Sequence, residues 1–180
     1  MQLKPLILIA AIGLGPQSVL AAGGNESMVP APTPTTKECK NGKIWSEKKN
    51  RCVKPENASL DDDLRYDAVR EYAYAGQFDS AQAILATMTD QSDDRVLTYW
   101  GFTHRKMGNV DLGIQFYQRA IAENPDNLLV RSYMGQAHVE AGETYLAWVQ
   151  LQEIRTRGGG GDWPEASLAS AIKTGTTYNY

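Results

Sequence analysis

From Leu60 onward, apolar residues recur at helical spacing in blocks interrupted by glycine, and three of these blocks can be laid over one another. The first runs from Tyr72 through AYAGQFDSAQAIL to Leu85, the second from His104 through RKMGNVDLGIQFY to Tyr117, and the third from His138 through VEAGETYLAWVQL to Leu151. Each has a glycine where one helical pattern ends and a small residue five positions later: Gly76 and Ala81, Gly108 and Gly113, Gly142 and Ala147. The glycines lie 32 residues apart (76 to 108) and then 34 (108 to 142), a period that signals stacked helix-turn-helix units. Glycine past a helix end takes the left-handed conformation at little cost, and Asp79 or Asp111 is placed to cap the following helix. Pro125 ends one helix, with Asp126 or Asn127 placed to cap the next. After the four glycines 158–161, Asp162 and Glu165 are spaced as a capping pair. They open a last helix whose Leu168 and Ile172 cover the apolar face the array leaves open. The prediction is an all-α array over 58–157, closed by a capping helix and tail over 158–180.

Ahead of the array the pattern changes. Lys4, the apolar run Leu6 to Leu14, and a small-residue site at Val19-Leu20-Ala21 or Leu20-Ala21-Ala22 read as a signal peptide over 1–22. The run is broken by Gly13, Gly15, Pro16 and Gln17, too early for a membrane span. Cleavage near Ala21-Ala22 implies a periplasmic or secreted protein. Residues 23–37, with Pro30, Pro32 and Pro34 among small residues, read as an extended tether without a core of its own. Cys39 and Cys52 are the only cysteines, and in an exported chain an even count argues for one disulfide. Over 38–57 the pattern suits two short strands joined by a polar turn, with Trp45 covering the disulfide. A zinc site would need more ligands than two thiols with no histidine between 30 and 60, and a catalytic dithiol would need C-x-x-C spacing. The module resembles, over a short stretch, the C-x-x-G-x-x-W hairpins of secreted bacterial proteins.

In the middle block Leu97, Trp100, Gly101, His104, Gly113, Tyr117, Ala120 and Pro125 resemble the signature of the tetratricopeptide repeat family. The third block keeps Met134, Gly135, Ala147 and Leu151, and departs from the signature at Arg131 and Ile154. The first, with Arg65, Ala68, Val69, Tyr72, Ala81, Leu85 and Met88, departs further, as an outer repeat does when one face meets water. The resemblance implies about three stacked repeats between Leu60 and Arg157, and a groove for an extended peptide. Carried over residue by residue, the family's groove positions fall on Tyr66, Arg70 and Tyr74, then on Arg95, Thr98, Phe102, Arg105 and Lys106, and finally on Ser132, Gln136 and Glu140. The expected ligand is an acidic or carboxylate-ended peptide held by Arg70, Arg105 and Lys106, with Phe102 and Tyr74 receiving apolar side chains.

Composition narrows the function without naming it. A chain of 180 residues that is 42% hydrophobic and 22% charged, with net charge -3, is neither a large multidomain enzyme nor a basic nucleic-acid binder. The average conceals a split. Lys37, Lys40, Lys43, Lys48, Lys49, Arg51 and Lys54 crowd the hairpin, while the chain from Ala58 holds ten basic and seventeen acidic residues. His104 and His138 recur at one position of their blocks but lack a third metal ligand, and the resemblance gives that position to packing. Asp61 to Asp63 and Asp93-Asp94 sit at helix starts, where capping accounts for them. No Lys-Ser/Thr follows the glycine run, so a phosphate cradle is not expected. The expectation is a non-catalytic adaptor of the cell envelope with no cofactor and no metal, which binds a protein or peptide partner and no nucleic acid, and has no membrane span once mature. The alternative is a cell-wall or polysaccharide-binding protein that recognises its target through the basic, Trp-bearing hairpin.

Overall fold

The structure, a computed structural model, describes residues 30–178. The expected signal peptide and residues 23–29 of the expected tether lie outside the described residues. A short helix α1 (Pro34–Glu38) leads into an antiparallel hairpin of β1 (Ile44–Ser46) and β2 (Arg51–Val53). Seven further helices follow: α2 (Asp62–Tyr74), α3 (Phe78–Leu85), α4 (Asp94–Lys106), α5 (Val110–Glu123), α6 (Leu128–Glu140), α7 (Thr144–Thr156) and α8 (Trp163–Thr174). The helices pack as the pairs α2 with α3, α4 with α5 and α6 with α7, and α8 closes against α6 and α7.

The turn within each pair is set by its glycine. Gly76, Gly108 and Gly142 have φ of +73°, +89° and +74°, the left-handed region where a side chain is strained. In each case the next residue's N–H reaches back five positions: Gln77 to Tyr72 O, Asn109 to His104 O and Glu143 to His138 O, at 2.9, 2.9 and 2.8 Å. That is the closing bond of a Schellman end. Small residues then allow close packing. A Cβ on Gly113 would stand 2.9 Å from Gly101 O, and one on Gly101 would stand 2.5 Å from the Tyr117 ring.

The caps differ in part from expectation. Asn127 caps α6, accepting the Val130 N–H, and Asp61 and Asp93 cap α2 and α4. Asp79 and Asp111 lie inside the first turns of α3 and α5, behind Gln77 and Asn109, and so act as charges near the positive helix end and not as caps. Asp162 stands at the start of α8 without a capping hydrogen bond, and Glu165 pairs with Arg155 at 2.6 Å.

The N-terminal module is docked on the helices. The strands pair in the register Ile44 to Val53, Trp45 to Cys52 and Ser46 to Arg51, and the Cys39–Cys52 disulfide ties β2 to the end of α1 across a Cα–Cα distance of 5.6 Å. Ile44 and Val53 share one apolar core with Val69 and Tyr72 of α2. The Tyr72 hydroxyl donates to Lys43 O at 2.6 Å and Thr35 O at 3.2 Å. Residues 34–38, expected to be extended, are helical. Pro34 occupies the first helical turn, Thr33 caps it through the Thr35 N–H, and the buried Glu71 carboxylate accepts the Thr33 and Thr36 N–H groups at 2.7 and 3.1 Å.

Candidate functional site

Helices α2, α4 and α6 lie side by side, and ten of the eleven positions expected to line a groove belong to a network running along them. Its centre is aromatic. Tyr74 meets Tyr99 and Phe102 edge-on, each at 6.4 Å between ring centroids, and Tyr66 meets Tyr99 at 5.6 Å. Phe102 lies 4.8 Å from Tyr133. The hydroxyls join as well, with Tyr99 donating to Tyr74 at 3.2 Å and Tyr74 and Tyr133 sharing a hydrogen bond at 3.1 Å. Burial pushes Tyr99 and Tyr133 well above the usual tyrosine range, and the neighbouring tyrosine hydroxyls add to it. Both therefore act as neutral hydrogen-bonding groups at ordinary pH.

Around this centre sit the four cations. Arg70 and Arg95 approach the Tyr66 ring, at 6.0 and 4.9 Å from its centroid, and Arg105 approaches Phe102 at 5.7 Å. Arg95 also pairs with Asp93 and Asp63. The accessibility of these groups differs from expectation. Tyr66, Arg70, Thr98, Phe102, Arg105, Ser132 and Gln136 are buried, and what reaches solvent along the face is Tyr74, Arg95, Lys106 and Glu140. Arg105 is enclosed with its side chain 0% exposed, donating to Tyr133 O at 3.2 Å and lying 3.8 Å from Glu140. Its Nε and Nη2 have no partner among the described residues. The part of this cluster that can meet an acidic ligand is therefore Lys106, itself 3.6 Å from Glu140 and held below the usual lysine range by burial and by the Arg105 charge.

The α6 end of the face is polar and covered. Thr98 is used internally, donating to Asp94 O at 2.7 Å and accepting from Asn127 at 3.3 Å. Ser132 bonds Ser167 of α8 at 3.0 Å and Gln136 at 3.4 Å. After α8, Gly175 turns the chain with φ +72°, and residues 176–178 return over α6. The Tyr178 N–H donates to Gln136 Oε1 at 3.0 Å, the Thr177 hydroxyl donates to Glu140, and the Tyr178 hydroxyl bonds Ser170 at 2.7 Å.

Three functional side chains escaped the sequence reading. Tyr99 and Tyr133 recur 34 residues apart, the same interval as Gly108 to Gly142, which is the signal that could have found them. Tyr178 carries no such signal, because it is placed by contacts some forty residues away in sequence.

Elsewhere, His104 clusters with Trp100 and Phe116, at 5.7 and 5.5 Å between ring centroids, and burial lowers its pKa. His138 Nδ1 is 2.7 Å from Glu143. The two histidines thus serve separate packing and pairing roles, and no group of three or more potential metal ligands occurs among the described residues. A cavity of about 230 Å³ opens between α1, the hairpin and α2, lined among others by Ile44, Trp45, Leu64, Ala68 and Glu71. The seven hairpin cations are all exposed around this module.

No protein-family model matches the chain, and comparisons with curated proteins and with solved structures gave no match.

Proposed function

We propose that this protein is a non-catalytic, tetratricopeptide-like adaptor exported to the cell envelope, with about three repeats, that binds an extended peptide along α2, α4 and α6. The observation that carries this reading is the continuous aromatic and cationic network on those three helices, joined at its α6 end to polar side chains already engaged with an extended backbone. Aromatic side chains with cations at their faces and amide acceptors beside them suit main-chain and side-chain recognition of a peptide. The paired helices with left-handed glycine turns support the repeat assignment, and the disulfide supports an oxidising compartment. Because Arg70 and Arg105 are buried, acidic recognition falls to Lys106 and Arg95 at the rim. Selection of a displayed random peptide library on the full chain tests this. Peptides selected on the parent should bind at least about tenfold more weakly to a Tyr74→Ala, Lys106→Glu variant, and equal binding to both would rule the face out.

The second reading, an envelope-polymer binder, draws on the exposed cations around the hairpin and on Trp45 at the mouth of the cavity. Removing the charges of Lys43, Lys48 and Lys49 would then abolish retention on isolated cell wall and leave peptide binding intact.

A further inference from the structure

Gln136 is an amide side chain with 0% exposure, at the helix register that Phe102 fills with a ring on α4. A buried amide oxygen must find a donor or remain desolvated without a partner. The donor it has is the main-chain N–H of Tyr178, 42 residues away in the chain. Beside it Glu140 accepts the Thr177 hydroxyl, and Ser170 of α8 holds the Tyr178 hydroxyl. The seam between α6 and α8 therefore recognises three chemical features in order: a hydroxyl side chain, a backbone N–H and a phenol. All three belong to an extended, uncharged segment, and none comes from a packed helix.

We propose that residues 176–178 are an internal ligand of the α6–α8 seam, and that the external partner is an extended peptide with a hydroxyl residue followed by an aromatic one, which must displace them. This rests on the peptide-binding reading and gives that site a partner class. Glu140 connects the seam to the rest of the face, because the carboxylate that holds Thr177 also lies 3.8 Å from Arg105 and 3.6 Å from Lys106. Displacement of the segment leaves Glu140 to the two cations alone, so occupancy of the seam and the charge presented by Lys106 are linked. Lying outside any helix or strand beyond one reversing glycine, and fastened through the side chains of Gln136, Glu140 and Ser170, the segment leaves without unfolding α8.

The probe is a fluorescein-labelled peptide of residues 175–180, Gly-Thr-Thr-Tyr-Asn-Tyr, titrated by fluorescence anisotropy with the full chain and its variants. A tethered ligand acts at an effective concentration of about a millimolar, so the parent chain should bind the probe poorly. Tyr178→Pro in the full chain removes the donated N–H and frees the seam, and it should bind the probe at least about tenfold more tightly than the parent. Adding Gln136→Leu or Glu140→Gln to Tyr178→Pro, with the fold of each variant checked by circular dichroism, should take that gain away. The proposal is overturned if parent and Tyr178→Pro bind the probe equally, whether well or not at all, or if both second substitutions leave the gain intact. A parent dimer that disappears in Tyr178→Pro would assign the seam to a second copy's segment and would also overturn it. A normal gain in probe binding with no peptides selected from the library would sink the adaptor reading alone. Library peptides sensitive to Tyr74 and Lys106, with no gain in probe binding, would sink the internal ligand alone.

Discussion

Phe102 on α4 and Gln136 on α6 occupy corresponding positions, 34 residues apart as Gly108 and Gly142 are, and both have 0% exposure. Phe102 is surrounded by rings, with Tyr74, Phe78, Tyr99 and Tyr133 all within 6.4 Å between centroids. Gln136 is surrounded by hydrogen-bonding groups, from Ser132 on its own helix and from Tyr178 beyond α8. The difference shows how burial is achieved at one helix register by two routes. An apolar ring is buried by whatever surface is nearest, whereas an amide can be buried only where a specific donor is delivered. The aromatic half of the face is thus closed by its own helices, and the polar half needs a further piece of chain.

The comparison predicts very unequal costs for removing the two side chains. Phe102→Ala leaves a cavity amid four rings and should lower the unfolding free energy by about 3–5 kcal/mol in urea titration. Gln136→Leu keeps the volume and lets the Tyr178 N–H turn to water, so its cost should stay within about 1 kcal/mol. If Gln136→Leu proved as damaging as Phe102→Ala, the polar half would be core in the same sense as the aromatic half, and the contrast would fail.

Two glycines sharpen the same distinction. Alanine at Gly101 would place its Cβ 2.5 Å from the rigid Tyr117 ring and 3.0 Å from Gly113 O, so α4 and α5 must separate. Alanine at Gly135 would meet the Leu168 methyls at 2.6 and 2.7 Å, which are the mobile end of an α8 side chain. The expected losses are about 3 kcal/mol for Gly101→Ala and about 1 kcal/mol for Gly135→Ala, read from chemical denaturation. Equal losses would mean that α8 is seated as firmly as α5.

The fold was more legible than the face, for reasons that can be traced to particular residues. Gly76, Gly108 and Gly142 mark turns because left-handed backbone is a local requirement, visible without knowing any neighbour. Helix α1 was missed because its stability comes from Glu71, some 35 residues downstream, and a Pro-rich segment read by itself favours extended chain. The positions carried over for the groove were brought together on α2, α4 and α6, but register along a helix does not tell how deeply a side chain is buried. Arg105 shows this: its place was legible, and its enclosure beneath Glu140 and beside Phe102 depends on three helices at once. The path of residues 176–178 was not legible, since Thr-Thr-Tyr has no apolar period and its bonds to α6 come from residues some forty positions away.

Alkaline pH offers a milder way to separate the halves. Burial raises the folded-state pKa of Tyr99 and Tyr133 well above the unfolded value of about 10, so the folded protein binds more protons than the unfolded one above that pH. Their contribution is therefore fully present below about pH 10 and falls as the pH rises toward the folded-state values, by about 1.4 kcal/mol per pH unit for each tyrosine. Tyr99→Phe should flatten that fall in denaturation curves recorded between pH 9 and about 11. Gln136→Leu, in the polar half, removes no titrating group and should leave the slope as it was. An unchanged slope in Tyr99→Phe would show that the hydroxyl cluster is not what the high pH disrupts.

The smallest effect expected is also the most local. The Tyr178 amide is hydrogen-bonded, yet its segment belongs to no helix or strand, so it should exchange with deuterium far faster than the α4 and α6 amides while remaining slower than an unstructured one. Glu140→Gln weakens the acceptor that holds Thr177 without touching Gln136 or any ring. It should speed Tyr178 exchange severalfold beyond any change at the α6 core amides, which report separately the global cost of taking the carboxylate away from the buried Arg105. If Tyr178 instead exchanged at the rate of the α6 core, and slowed or sped only with global unfolding, the segment would be part of the cooperative fold. The polar half would then be closed as permanently as the aromatic one, with no seam for a partner to enter.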